Sequence, residues 1–371
     1  MKFLRLAFYV LIAQLVLSSC ADEAVEETSS SSSSEINFDA YVGRNASTRS
    51  SITDLDTLKF KGWPSGFGVF AIYRHTDKTI PPLMLMNNEH VYWKNWKGDH
   101  PDWGYEHTRY WPSEGFVDFY AFAPHSDVPQ LVNKPGGTEP NPTYIYFPSN
   151  ESPVDLVYAN AKDRTKTNEP VKFTFNHALA RLGLDIKANQ DLEKNGAVIT
   201  VEEVDLYGPE DYKGVFDMVG YLNLKTGGWD VVKEKSTRWY YAWTPTGKVG
   251  EEDGNDGKKK CQKLSASQLN DTTKIITNDR NSYIFIIPQT KDEPFHLKIT
   301  YTVKQGNFEE TVTVKKNLLD VLRPGVINPS FEFVSGKAYV FHLILSLDPI
   351  NFYVTTTVVN WNEVIDETMP L

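Results

Sequence analysis

Cysteine is scarce, with two in 371 residues, at positions 20 and 261. A disulfide framework is therefore excluded, and the fold must rest on apolar burial and sheet hydrogen bonds. An excess of positive charge is also missing. The chain has 38 Lys and Arg against 48 Asp and Glu, which argues against nucleic acid as a partner, because phosphate backbones demand clustered cations. Beyond the amino-terminal apolar run, no stretch sustains a 3.6-residue apolar period for a dozen residues, so long amphipathic helices are not expected. Catalytic motifs are lacking too. There is no Gly-rich phosphate loop, no His-Glu-x-x-His helix and no Gly-x-Ser-x-Gly elbow. His100 and His107 flank Asp102 without a regular ligand spacing. The acidic loop Glu252-Asp253-Gly254-Asn255-Asp256-Gly257 lacks the glutamate that closes a calcium site. His177, at the end of a strand, reads as a hydrogen-bonded structural histidine. No catalytic residue, cofactor or metal site is expected, and the chain reads as a non-enzyme.

What is present begins at the amino end. Lys2 and Arg5 precede an apolar run from Leu6 to Leu17, too short for a bilayer-spanning helix of roughly 20 residues. A basic start, a short apolar core and small residues after it compose a secretory signal peptide. The string Leu17-Ser18-Ser19-Cys20 that follows resembles the lipobox of bacterial lipoproteins, in which the cysteine is acylated and becomes the new first residue. The signal peptide is thus expected over 1–19, with the lipid on Cys20. That leaves Cys261 alone and an internal disulfide impossible. Residues 20–35 are acidic and serine-rich, with six consecutive serines from Ser29 to Ser34. Such a segment has too little apolar area to offset its chain entropy, and a flexible tether is expected. Acidic residues directly after the lipid cysteine also look like the surface-export signal of Bacteroidetes lipoproteins.

Without residues 1–35, 36 bases and 43 acids remain, net −7. The 336 residues left exceed what one core usually organises, so two domains are expected. Aromatics, at 13%, favour strands. Period-two alternation recurs: Ile36, Phe38, Ala40, Val42; Phe67, Val69, Ala71, Tyr73; Val117, Phe119, Ala121, Ala123; Val171, Phe173, Phe175; and Leu182, Leu184, Ile186. Phe295, Leu297, Ile299, Tyr301 and Val303 lead through Gln305-Gly306-Asn307 into a second strand with Val312 and Val314, a hairpin pattern. Long strands are predicted from Tyr339 to Leu347 and from Phe352 to Trp361. Many short strands between turn signals imply all-β sandwich or barrel architecture. Val132 to Thr143 and Gly250 to Lys260 read as loops, and the polar run Ala159 to Pro170 as a strand-poor linker. The domains are accordingly expected over 36–168 and 169–371.

These strands carry a family pattern. Tyr110-Trp111-Pro112, Val117-Asp118-Phe119-Tyr120-Ala121-Phe122-Ala123-Pro124 and Asp155-Leu156-Val157-Tyr158-Ala159 resemble the first domain of the fimbrillin (Mfa-like) proteins of Bacteroidetes. Phe173 to Ala180, Ile284 to Thr290, Tyr339-Val340-Phe341 and the closing Val358-Val359-Asn360-Trp361 are similar to their second. The resemblance implies two tandem transthyretin-like β-sandwich domains and a type V pilus subunit, or a related adhesin, at the surface of the outer membrane. It implies that an arginine-specific protease frees the first strand and that a strand from another pilus subunit replaces it. Here Arg44 and Arg49 follow the strand Ile36 to Val42. The reading left beside it is two solvated loop arginines.

One departure and one alternative accompany the resemblance. Family stalk subunits carry a carboxyl-terminal donor segment, whereas Asn362 to Leu371 holds three acids in ten residues, a poor donor. Either Phe352 to Trp361 is the donor or the chain is a tip or accessory subunit. Separately, Trp93, Trp96 and Trp103 are candidate ligand-contacting aromatics, because ring faces stack on sugars. A glycan-binding surface lipoprotein that does not polymerise is the second reading, and rings that plug the end of the first sandwich are the structural alternative.

Overall fold

Strand formation follows the alternation, and what alternates is decided by which faces are covered. The structure is a computed structural model; it describes residues 34–42, 58–59, 66–94, 102–134, 142–148, 154–188, 192, 194–208, 216–233, 239–247, 260–264, 266–269, 275–276, 283–347 and 353–360. Its first ten strands are β1 (Phe38–Val42), β2 (Phe67–Arg74), β3 (Leu83–Lys94), β4 (Asp102–Gly104), β5 (Phe116–Ala123), β6 (Leu131–Val132), β7 (Tyr144–Pro148), β8 (Val157–Arg164), β9 (Val171–His177) and β10 (Ala180–Ala188).

Seven of these pair in the order β1-β9-β8-β5-β2-β3-β4. The sheet folds over itself. β8 meets β9 only at Val157↔His177 and Tyr158↔Asn176, while β9 from Val171 to Phe175 pairs in parallel with β1. Phe38, Ala40 and Val42 of β1 and Val171, Phe173 and Phe175 of β9 therefore face Phe67, Val69, Val117 and Phe119 across one core. β3 reaches the opposite layer by irregular pairing with β2 on either side of Ala71, the kind of local disruption that increases twist.

β2 and β5 are buried on both faces, which is why they read as near-continuous apolar runs. Their second face, with Phe70, Ile72, Tyr120 and Phe122, packs on Ile145, Leu222, Leu224, Tyr283 and Phe285. This core joins the two halves of the chain.

The remaining strands are β11 (Ala197–Tyr207), β12 (Val219–Asn223), β13 (Trp229–Val231), β14 (Trp239–Thr244), β15 (Lys260–Lys263), β16 (Gln268–Leu269), β17 (Ile275–Ile276), β18 (Ile284–Ile286), β19 (Gln289–Lys291), β20 (His296–Gln305), β21 (Phe308–Asn317), β22 (Phe331–Phe333), β23 (Lys337–Leu345) and β24 (Tyr353–Asn360). A sheet ordered β17-β10-β23-β24, with β18 also on β10, and a six-stranded one ordered β15-β14-β11-β20-β21, with β16 also on β11, enclose the largest core. Leu182, Leu184, Phe341 and Leu343 meet Ile199, Val201, Leu297, Ile299 and Tyr301 there. The expected hairpin is β20-β21, with register Gln305↔Phe308 and Gly306 at φ +60°. A further sheet, β13-β12-β7-β6, takes β6 and β7 from before β8 and β12 and β13 from after β10, so it stitches the halves together.

β9 pairs with β1 and β8, so the change of sheet falls between His177 and Ala180. One expectation differs from this architecture. The run Ala159 to Pro170 is not strand-poor at its start. β8 continues to Arg164, with Ala159 and Ala161 buried against β5. Alanine between polar residues gives a weak alternation signal, and cross-strand pairing overrides it.

Candidate functional site

The site begins with the residues that hold β1. Residues 34–42 lie between two backbone partners. On one side Trp111 N–H donates to Ser34 O at 2.7 Å and Ile36 N–H to Arg109 O at 2.8 Å. On the other, Val171 N–H donates to Asn37 O at 2.7 Å, and the parallel ladder to β9 follows from Phe38↔Val171 to Val42↔Phe175. The Tyr105 hydroxyl donates to Ile36 O at 2.6 Å. Burial holds the Tyr105 phenol above its usual pKa, so it remains a donor.

Side chains complete the fit. Ile36 is fully enclosed, and the Phe38 ring stacks on Phe173 at 5.7 Å between centroids while meeting Phe119 at 5.8 Å and Tyr105 at 5.5 Å. The segment thus contributes a strand and an apolar face to a groove formed by Arg109 to Trp111, β9 and the face of β2 and β5. β9 from Val171 to Phe175 has β1 as its ladder partner among the described residues.

The expected site residues fall unevenly on this geometry. Cys20, Arg44, Arg49 and Trp96 lie outside the described residues. Trp103 is 7% exposed, with its ring 5.0 Å from Phe67 and 5.1 Å from Trp93. Trp93 is half-buried, and the Lys59 ammonium sits 4.0 Å from the centre of its ring. Trp111 is buried against Phe119. The indole N–H groups of Trp103 and Trp111 find no hydrogen-bond partner among the described residues, although a buried indole usually has one. Sequence reading passed over Tyr105 and Arg109 as groove residues, and only the neighbouring aromatic cluster and Tyr110-Trp111-Pro112 pointed to that segment.

The histidines and carboxylates form pairs. His177 Nδ1 lies 3.0 Å from Asp155 Oδ1, with both residues buried at the junction of the halves. His107 Nδ1 lies 3.1 Å from Glu89 Oε1. Asp118, in β5, receives Arg74 Nε at 2.8 Å and a second guanidinium nitrogen at 3.0 Å, and this raises the Arg74 pKa. His125 stacks on His90 with centroids 3.9 Å apart, and burial, with His90 beside it, lowers the His125 pKa to about 4. Among the described residues no cluster of three or more His, Cys, Asp or Glu side chains could hold a metal ion.

An all-β protein built of packed sheets, whose first described strand is seated in a groove of its own core, is the class this geometry defines. The family model of fimbrillin-like proteins matches residues 48–361, and the chain belongs to that family. No curated protein matches it. In fold it is similar to a fimbrial protein from Bacteroides vulgatus, at 17% identity and a TM-score of 0.58, covering 88% of this chain and 99% of that one. A protein described as a cell adhesion protein from Bacteroides uniformis is 15% identical over 88% of this chain and 99% of its own, with a TM-score of 0.46.

Proposed function

We propose that this fimbrillin-like protein is an outer-membrane lipoprotein and pilus subunit that enters fibres by exchanging residues 34–42 for a strand of another subunit. The observation that carries the reading is the seating of β1. The segment is enclosed by backbone bonds on both sides and by Phe173, Phe119 and Tyr105, yet it is the first described strand, with Arg44 and Arg49 just beyond it in sequence. Cleavage there ends its covalent tie to the sandwich, so its high local concentration is lost and a competing strand can replace it. The vacated groove would offer unpaired backbone beside apolar core, which recruits a compatible strand. The lipid on Cys20 would leave with the excised segment. β24, which ends its sheet beside β23, is the candidate donor; if it donates nothing, the subunit is a tip or accessory one. The role is non-catalytic.

The test is limited digestion with an arginine-specific protease, with the Arg44→Ala, Arg49→Ala double variant as control. Digested wild type should form oligomers that survive mild denaturant, and the double variant should not. A clipped protein that stays a monomer with a family donor-strand peptide present would sink the proposal. Anchoring is tested apart: a clickable fatty acid should label the wild type and not Cys20→Ala. The glycan-binding reading rests on Trp93, whose ring has Lys59 over one face, and is the less supported.

A further inference from the structure

β21 closes one side of the six-stranded sheet, and among the described residues no strand pairs with its outer edge. The hairpin makes that edge legible residue by residue. A two-residue turn with Gly306 at φ +60° places Gln305 and Phe308 as its closing pair, and in such turns the closing residues exchange both hydrogen bonds. Alternation along the unbroken register then commits the backbone groups of Phe308, Glu310, Val312 and Val314 to β20. Those of Glu309, Thr311, Thr313 and Lys315 point to the open edge. The same four residues share the solvent face, since Val312 and Val314 pack on the core beneath.

The outward set reads acid, threonine, threonine, base, which is its own complement when reversed. An antiparallel copy must set outward-pointing residues opposite one another. Among such two-fold registers, the one that centres Val312 on Val312 places Glu309 against Lys315 and Thr311 against Thr313. Shifting the centre to Thr311 or Thr313 removes both charge pairs, and parallel in-register pairing sets like charges together, which is unfavourable across strands. The threonines are already arranged for it. Thr302 and Thr311 are bonded at 3.0 Å and Thr300 and Thr313 at 3.1 Å, so the pairing would run a row of four threonines across the junction. Lys315 also lies opposite Lys298, itself held by Asp205, so a carboxylate arriving from the free side would relieve that like-charge neighbour.

We infer that the β21 edge is a homotypic contact: two copies of this chain join their six-stranded sheets antiparallel about Val312. The contact is independent of strand exchange and of proteolysis. It is tested on the full chain carrying Cys20→Ala, Cys261→Ser, Arg44→Ala and Arg49→Ala, so that neither acylation nor processing contributes. Sedimentation velocity should show a concentration-dependent monomer–dimer equilibrium. Val312→Cys should form a disulfide dimer on mild oxidation, because directly opposed residues of a non-hydrogen-bonded pair lie within disulfide reach; Thr313→Cys, one register away, should not. E309K and K315E should each weaken dimerisation at least ten-fold, and an equimolar mixture of the two should restore it, since every charge pair across the mixed dimer is then opposite. A monomer at all concentrations without the Val312→Cys cross-link overturns the inference. So does a cross-link through Thr313→Cys instead, or a mixture no stronger than its components.

Discussion

β1 and β21 both carry alternating side chains in the first and second halves of the chain, and they stand in opposite physical circumstances. β1 is five residues long, pairs with β9, and puts three apolar side chains into the core. β21 is ten residues long, exposed on one face and only half-buried at Val312 and Val314 on the other, and bears Glu309 and Glu310 near one end and Lys315 and Lys316 near the other. Removing β1 would open a core, while covering β21 would only add to a finished sheet. The difference shows that a strand's place in the order of a sheet does not by itself say what it does. Apolar enclosure makes a strand part of the fold, and self-complementary charge makes it a surface for recognition.

The contrast can be broken by substitution. The largest effect is expected from Phe38→Ala, which removes a ring touching Phe67, Tyr105, Phe119 and Phe173. It should destabilise by about 3–5 kcal/mol in denaturant unfolding, the usual range for a buried aromatic. A loss below about 1 kcal/mol would mean that β1 is only an accessory strand. Next comes Trp111→Ala on the groove wall, where the ring packs against Phe119. Its cost should approach about 3 kcal/mol, somewhat offset because the indole N–H is already without a hydrogen bond. Unchanged thermal stability together with lost glycan binding would favour the adhesin reading.

Acid should act on the first half through His125, just as burial lowers the pKa of His296 in the second. His125 has its pKa lowered to about 4 in the fold, against about 6.5 for an ordinary histidine. The unfolded chain therefore binds the proton first, and stability should be full above about pH 6.5 and fall progressively toward pH 4. The loss should be on the order of 3 kcal/mol, and His125→Phe should flatten that part of the pH profile in thermal melts. An unaltered profile would remove His125 as its source. The smallest effect is expected at the other edge. Glu309, in a salt bridge with Lys304 that is exposed on both sides, should change monomer stability by less than about 0.5 kcal/mol on replacement by alanine. A larger change would show that β21 is structural.

Much of this was legible in the residues. Alternation at Phe38, Ala40 and Val42, at Phe67 and Val69, and at Val117, Phe119 and Ala121 marks the face that the first core uses. The Gly306-Asn307 hairpin was legible because a two-residue turn is a local event. Less legible was β8 beyond Tyr158, where alanines between polar residues carry little apolar signal. The second face of β2 and β5 was present as Phe70, Ile72, Tyr120 and Phe122, but its partners stand many residues away in sequence. The groove was legible only in part, through the aromatic cluster and Tyr110-Trp111-Pro112. The hydroxyl of Tyr105 and the carbonyl of Arg109 gave no sequence signal, because any residue supplies a carbonyl and a tyrosine reads first as an apolar ring.

By itself, then, the sequence determined the strands, the hairpin and the all-β class, since alternation and turn chemistry are short-range properties of the chain. Only the tertiary structure decided that β9 leaves β8 to pair with β1, that β7 joins β12 across the halves, and that Trp103 is enclosed rather than presented. Those outcomes depend on which apolar faces meet and on which backbone groups remain to be paired once they have met. Both are settled by contacts far apart in sequence.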